Sequence, residues 1–188
     1  MLRKSPCERL APTLSSSPLT PPRLRLPFVA DERTQLLGWL DLQRDIVLWK
    51  CEGASEADAH RSVLPTSPLM TIAGVVSHLR WVEHCRLEVL FYGRPAEGPQ
   101  FVDDPEDADM IAEGVPLAQL SHEYRRQCDL SNEIVAAASL DEFGRHPDFG
   151  AAAATLRWML LHMVEETARH VGHLDTIREL LDGAKGYY

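Results

Sequence analysis

The chain has 188 residues, of which 45% are hydrophobic and 25% charged, and its formal net charge is −9. This length and composition are typical of a single globular domain that buries a sizeable core. An acidic chain without a basic patch or a long apolar run is a poor candidate for binding nucleic acid or for binding or crossing a membrane, so we expect neither partner.

The first 30 residues are rich in proline and serine. They contain six prolines and the run Ser15–Ser17, and they show no periodic apolar face. Such a composition predicts a disordered or loosely attached arm over residues 1–30, followed by a domain over residues 31–186. No continuous apolar segment follows the basic residues near Met1, so the sequence predicts no signal peptide and a cytoplasmic location.

Helical periodicity begins after this arm. The first helix is expected at about residues 31–51, with Asp31 as its N-cap. The second is expected at about residues 68–92, because Ser67 followed by Pro68 is a typical helix start. The stretch that follows, residues 94–114, is acidic and rich in proline and glycine, and we interpret it as a solvated loop.

Two further helices are predicted in the second half of the chain. They are expected at about residues 116–139 and 152–182, and Gly183 suits the left-handed residue that ends many helices. Four long helices without a convincing strand predict an all-α four-helix bundle, and the long connection between the second and third helices allows a crossover.

One face of the fourth helix combines apolar and metal-binding side chains. Residues at steps of three and four form this stripe: Met159, Met163, Glu166, His170, His173, Leu174, Ile177 and Leu181. A carboxylate on a buried stripe is costly unless it is paired, protonated or bound to a metal. Because Glu166 and His170 are four residues apart, their side chains project together and suit two ligands of one metal ion.

A third potential ligand, His78, lies at the centre of the apolar stripe of the second helix. Two histidines and one glutamate with an open coordination position are typical of a catalytic zinc site rather than a structural one. The sequence therefore predicts one metal site formed by His78, Glu166 and His170.

Other residues near these ligands allow alternatives. His162 lies four residues before Glu166 and is an alternative to His170, whereas His173 is a candidate for a fourth ligand or a supporting group. Asp175 and Glu165 are candidates for orienting a ligand imidazole. Plain structural or solvent-facing roles are expected for all four of these residues.

Several familiar motifs are absent from the chain. The segment from His162 to Glu166 is not His-Glu-x-x-His, which argues against a zincin protease. The two Glu-x-x-His motifs of ferritin-like di-metal bundles are missing, as are a glycine-rich phosphate loop and a serine nucleophile elbow. Residues 103–109 lack the glycine and glutamate positions of a calcium loop. The four cysteines (Cys7, Cys51, Cys85 and Cys128) form no Cys-x-x-Cys motif and are expected to be free thiols.

Two segments resemble a known family. The run His162-Met-Val-Glu-Glu-Thr-Ala-Arg-His-Val-Gly-His-Leu-Asp175, continued by Ile177-Arg-Glu-Leu-Leu-Asp-Gly183, is similar to the signature of the DinB-like (YfiT-like) metalloprotein superfamily. The segment Thr71–Glu83 resembles the second-helix motif of an uncharacterised actinobacterial branch of that superfamily. The resemblance covers about residues 31–186.

This resemblance implies a four-helix bundle, often dimeric, with one divalent metal ion. Much of the superfamily uses a His-x-x-x-His pair on the last long helix, whereas this chain has Glu166 at the first position of that pair. In this respect the chain is similar to the mycothiol-dependent maleylpyruvate isomerases, whose ligands are His, Glu and His. By position, the resemblance also implies that His78, Glu166 and His170 hold the metal.

The family's chemistry implies an enzyme that joins a low-molecular-weight thiol, such as mycothiol, to a small electrophile by S-transfer or isomerisation. Zinc is the expected metal, with nickel as the alternative, and a homodimer is the expected assembly. Two rival interpretations remain at this point. One is a metal-dependent hydrolase that activates water, and the other is a non-enzymatic metal-binding stress protein.

Overall fold

The computed structural model describes residues 26–102, 105–147 and 154–186, and this part of the chain is helical. It contains α1 (Glu32–Cys51), α2 (Glu56–Ala59), α3 (Ile72–Glu83), α4 (Leu117–Ala136) and α5 (Leu156–Asp182). α3 continues as a π-helical segment, His84–Phe91, and short 3₁₀ turns occupy Pro99–Phe101 and Ala108–Met110. Among the described residues, β pairing is limited to one isolated bridge between Phe143 and Thr155. The prediction of an all-α bundle is confirmed.

The four long helices form a bundle in which neighbours in sequence are not always neighbours in space. α1 packs against α5 and α4, and α3 packs against α4 and α5. α1 and α3 therefore lie diagonally across the bundle from each other, and so do α4 and α5. A simple up-and-down bundle would instead place the two helices of each pair side by side. Crossovers thus lie in the connections before α3 and before α5, whereas the long connection after α3 joins two adjacent helices.

The start of α3 differs from the prediction. Ser67 and Pro68 do not begin a helix; the residues around them form turns, and α3 starts at Ile72. Thr71 is the N-cap, and its Oγ1 accepts a hydrogen bond of 2.9 Å from the backbone N–H of Gly74. Gly74 is required at this start, because a Cβ atom there would clash with the carbonyl oxygen of Leu69.

The boundaries of the other long helices agree with the sequence to within a few residues. Asp31 caps α1 by accepting a hydrogen bond of 3.0 Å from the N–H of Thr34, as expected. α5 begins after Thr155, which accepts from the N–H of Trp158, and ends at Gly183 with φ of 76°. The left-handed conformation of Gly183 confirms the predicted end of α5.

The apolar core consists of two clusters with polar residues between them. Tyr124, Leu79 and Leu174 belong to the first cluster, and Phe91 and Met159 belong to the second. Along α5, the segment between Met163 of the second cluster and Val171 of the first carries Glu166, Thr167 and His170. The bundle therefore positions polar side chains between two packed layers, where helix packing fixes their orientation.

Most of the predicted arm lies outside the described residues. Leu26 is included in the structure, and its side chain contacts Gly38 of α1 and packs against the first core cluster. Cys7 also lies outside the described part, while Cys51, Cys85 and Cys128 are free thiols, as predicted. Among the described helices, none combines the length and apolar character needed to cross a membrane.

Candidate metal centre

The structure brings His78, Glu166 and His170 together from two helices. His78 projects from α3, and the other two project from successive turns of α5. The Glu166 Oε1 atom lies 3.1 Å from His78 Nε2 and 3.4 Å from His170 Nε2. The two imidazole rings are 4.6 Å apart between centroids, and one donor atom from each residue lies within 4.8 Å of the others. Three ligand atoms thus face one small volume.

These three side chains are sheltered but not sealed from solvent. Their exposed fractions are 17% for His78, 19% for Glu166 and 10% for His170. The three side chains are therefore partly open to solvent. Partial burial also strengthens the electrostatic attraction between the glutamate and any cation placed among the three residues.

The other ring nitrogen of His78 has a partner that the sequence interpretation missed. His78 Nδ1 lies 2.8 Å from Asp109 Oδ2, and Gln100 Nε2 donates to the same oxygen at 2.7 Å. Asp109 is only 7% exposed, although residues 94–114 were expected to form a solvated loop. The prediction was wrong at this residue, because the turn Ala108–Met110 packs directly on α3.

The side chains around His78 shift one another's protonation. Burial alone would lower the pKa of His78, but hydrogen bonds to Asp109 and Glu166 outweigh burial and raise it to about 9. Hydrogen bonds from His170 and His78 hold the pKa of Glu166 well below its usual range. Burial opposes ionisation of Asp109, yet the hydrogen bonds from His78 and Gln100 prevail and lower its pKa. The centre therefore combines two carboxylates with a strongly basic imidazole.

The residues present suit a divalent metal ion. Below its raised pKa, His78 donates from Nδ1 to Asp109 and from Nε2 to Glu166; once the Nε2 proton is lost, a lone pair faces the Glu166 carboxylate. Two electron-rich atoms this close require a proton or a cation between them, and His170 Nε2 faces the same place. Two imidazole nitrogens and one carboxylate oxygen are a donor set typical of zinc in catalytic sites.

The alternative ligands lie outside this group. The ring of His162 stacks on Trp158, with centroids 5.4 Å apart, and His173 meets His170 edge to face at 5.3 Å. Asp175 forms an ion pair with Lys50 at 2.6 Å, and Glu165 pairs with Arg169. Asp175 and Glu165 thus have structural partners rather than a ligand imidazole to orient.

A cavity of about 770 Å³ opens beside the centre. His78 and Asp109 form one side of it, and the remaining lining mixes apolar with polar or charged side chains: Leu90, Pro99, Phe101 and Val102 with Arg86, Gln100, Glu106 and Asp107. Cys85 also lines this cavity, and burial raises the pKa of its thiol. Helical spacing placed Cys85 two turns from His78, and the sequence contained no signal that the π-helical segment and the turn Pro99–Phe101 would enclose a common space.

The unusual protonation of His78 predicts a pH dependence for the metal-free protein. A pKa raised from 6.5 to about 9 adds stability that is complete below pH 6.5 and is lost as the pH rises through about 9. The free energy of unfolding by urea should therefore fall between pH 7 and pH 9.5. The His78→Gln variant should show a clearly smaller fall over this interval, and equal falls in the two proteins would contradict the prediction.

Comparison with known proteins identifies the family. A family model described as mycothiol S-transferase matches residues 35–183, which cover the four long helices except the first three residues of α1 and include the three clustered residues. No curated protein and no solved structure shows a significant match to the chain. Because the family model covers most of the chain, including the helices that carry the centre, the chain belongs to the mycothiol S-transferase family.

Proposed function

We propose that this protein is a metal-dependent enzyme that joins the sulfur of intact mycothiol, or of a similar low-molecular-weight thiol, to a small electrophile. The observation that carries the proposal is the convergence of His78, Glu166 and His170 in a chain that belongs to this family. The family supports the thiol, and the donor set supports the metal. Isomerisation through a transient thiol adduct is the alternative outcome of the same chemistry.

The three clustered residues would hold one divalent ion, with zinc favoured over nickel. Two imidazole nitrogens and one carboxylate oxygen match the ligands of catalytic zinc and leave a coordination position free. When bound, the ion would supply a Lewis acid that takes up the thiol sulfur and lowers its pKa, so that a thiolate is available near neutral pH.

The protein side chains would bind and orient the reactants. Glu166 and the two histidines would fix the place of the thiol through the bound ion, and the cavity beside His78, which has both apolar and polar walls, would receive the electrophile. Proximity of the two reactants lowers the entropic cost of their encounter. In the transfer reaction a sulfur–carbon bond forms. A halide leaves with the electron pair of its carbon–halogen bond, an epoxide opens to an alkoxide, or an activated alkene becomes a carbanion. The alkoxide or carbanion takes up the proton that the thiol releases.

The reacting thiol is expected to come from outside the chain. Cys85 lines the cavity, but burial raises the pKa of its thiol and disfavours the thiolate. Burial likewise raises the pKa of Cys51 to about 11 and that of Cys128 beyond the range in which it would ionise near neutral pH. These three cysteines are therefore poor nucleophiles.

A turnover assay tests the proposal. Zinc-loaded protein is incubated with mycothiol and a panel of epoxides, alkyl halides and activated alkenes, and the products are identified by mass spectrometry. We expect an adduct of thiol and electrophile whose formation stops on chelation of the metal and is lost in Glu166→Ala. Products that carry a hydroxyl group from water, formed equally without the thiol, would instead favour the hydrolase interpretation.

A further inference from the structure

The turn that carries Asp109 is fixed to α3 through its backbone. Ser77 Oγ donates a hydrogen bond of 2.7 Å to the carbonyl oxygen of Asp109, and both residues are buried. Gly74 permits this approach, since a Cβ atom at that position would lie 3.0 Å from the carbonyl oxygen of Met110. The backbone of the turn Ala108–Met110 is therefore fixed against the part of α3 between Gly74 and Ser77, immediately before His78.

The carboxylate of Asp109 is held from the other side by the cavity wall. Gln100 Nε2 donates to Oδ2 at 2.7 Å, and that oxygen also faces His78 Nδ1 at 2.8 Å. A single oxygen thus connects the segment Pro99–Phe101 with the imidazole of His78. A carboxylate that is buried and held in two places has little freedom to turn away from the ring.

This contact determines which nitrogen of His78 is free to bind a metal. An aspartate carboxylate accepts but does not donate, so it holds a proton on Nδ1, whereas a metal ion placed beside Glu166 would displace the proton on Nε2 and make that nitrogen the ligand atom. Nε2 is the nitrogen that lies 3.1 Å from Glu166 Oε1. The histidine is therefore aligned with the remaining donors before any ion arrives.

We propose that Asp109 is a positioning residue of the metal centre, which fixes the tautomer and orientation of His78 and couples them to the cavity wall through Gln100. This inference rests on the proposed metal-binding function of His78, Glu166 and His170. Supporting residues of this kind typically contribute a factor of about 10 to 100 in metal affinity.

Zinc affinity, measured by competition with a chromophoric chelator, tests this role. Asp109→Ala should bind zinc about 10- to 100-fold more weakly than the wild type. Asp109→Asn retains an acceptor oxygen and should recover part of the loss. Glu113→Ala removes an exposed carboxylate from the same connection and should leave zinc affinity unchanged.

The ¹⁵N resonances of His78 in zinc-loaded wild-type protein report which ring nitrogen is protonated and which binds the metal. A purely structural role of Asp109 would not determine this choice. The His78→Gln variant assigns these resonances, and we expect a protonated Nδ1 and a metal-bound Nε2. A metal-bound Nδ1 would overturn the inference even if Asp109→Ala does not fold. Wild-type affinity in Asp109→Ala would overturn it while leaving the proposed function intact, whereas absence of zinc binding by the wild type would overturn both.

Discussion

The Glu166→Ala variant is expected to lose tight binding of divalent metal. Glu166 supplies the only carboxylate oxygen of the three-residue group and faces both histidine Nε2 atoms, at 3.1 and 3.4 Å. Its removal leaves two imidazoles and no carboxylate oxygen among the three candidate ligands. The loss of zinc affinity should exceed the roughly 10- to 100-fold cost of removing a supporting residue, and isothermal titration with zinc measures it.

A matched control lies one residue away. Glu165→Ala makes the same chemical change at an exposed position whose partner is Arg169, so its zinc affinity should equal that of the wild type. The choice of ligands would be wrong if Glu166→Ala kept its metal while His162→Ala or His173→Ala lost it.

The largest expected effect on stability comes from Glu83 in the middle of the bundle. Glu83 is 1% exposed and binds the buried guanidinium of Arg44 in a bidentate pair, with N–O distances of 2.7 and 2.8 Å. Glu83→Ala would leave this guanidinium buried, with Asp41 and Asn132 as its remaining side-chain hydrogen-bond partners in the described part of the chain. We expect a loss of about 3–5 kcal/mol in the free energy of unfolding, or a melting temperature lower by roughly 10 °C.

A half-buried ion pair provides the comparison for this variant. Glu123 pairs with Arg80 at 3.6 Å and is 32% exposed, so Glu123→Ala should cost no more than about 1 kcal/mol. The double variant Arg44→Met/Glu83→Leu should recover much of the stability, because apolar side chains of similar size leave no unpaired charge. Equal losses for Glu83→Ala and Glu123→Ala in urea unfolding would contradict this account.

The sequence predicted those parts of the site that depend on helical periodicity. Glu166 and His170 share a helix, so their spacing alone places them on one face, and His78 followed from its position on a second apolar stripe. The start of α1 and the end of α5 were predictable for a related reason. Asp31 accepts a hydrogen bond from the first turn of α1, and Gly183 adopts the left-handed conformation that ends α5. Local geometry determines all of these features.

Features that depend on packing between distant segments could not be predicted in this way. Asp109 lies 31 residues from His78 in an acidic stretch whose composition indicated solvent exposure. Its burial results from the packing of the turn Ala108–Met110 on α3. A contact between segments so far apart in the chain produces no periodic pattern in the sequence. The start of α3 was misplaced because Ser67 and Pro68 form a local helix-start signal, whereas Thr71 makes the capping hydrogen bond.

The π-helical segment explains a further difference. Helical spacing of 3.6 residues per turn was assumed through residue 92, yet His84–Phe91 adopts wider i→i+5 hydrogen bonding, such as that from Tyr92 N–H to the carbonyl oxygen of Leu87. A change in winding rotates every side chain beyond it. Cys85, at the start of this segment, stays on the same face as His78, as ordinary spacing predicts, whereas Leu90, which lies further along and off the predicted stripe, also lines the cavity.

The central claim is that an external thiol binds at the centre formed by His78, Glu166 and His170, and cobalt spectroscopy tests it most directly. Cobalt(II) replaces the native metal in the wild-type protein, mycothiol is added to saturation, and the near-ultraviolet spectrum is recorded. The account predicts an intense sulfur-to-cobalt charge-transfer band that is absent in the His170→Ala variant. Normal cobalt binding with a spectrum that saturating mycothiol leaves unchanged would contradict it.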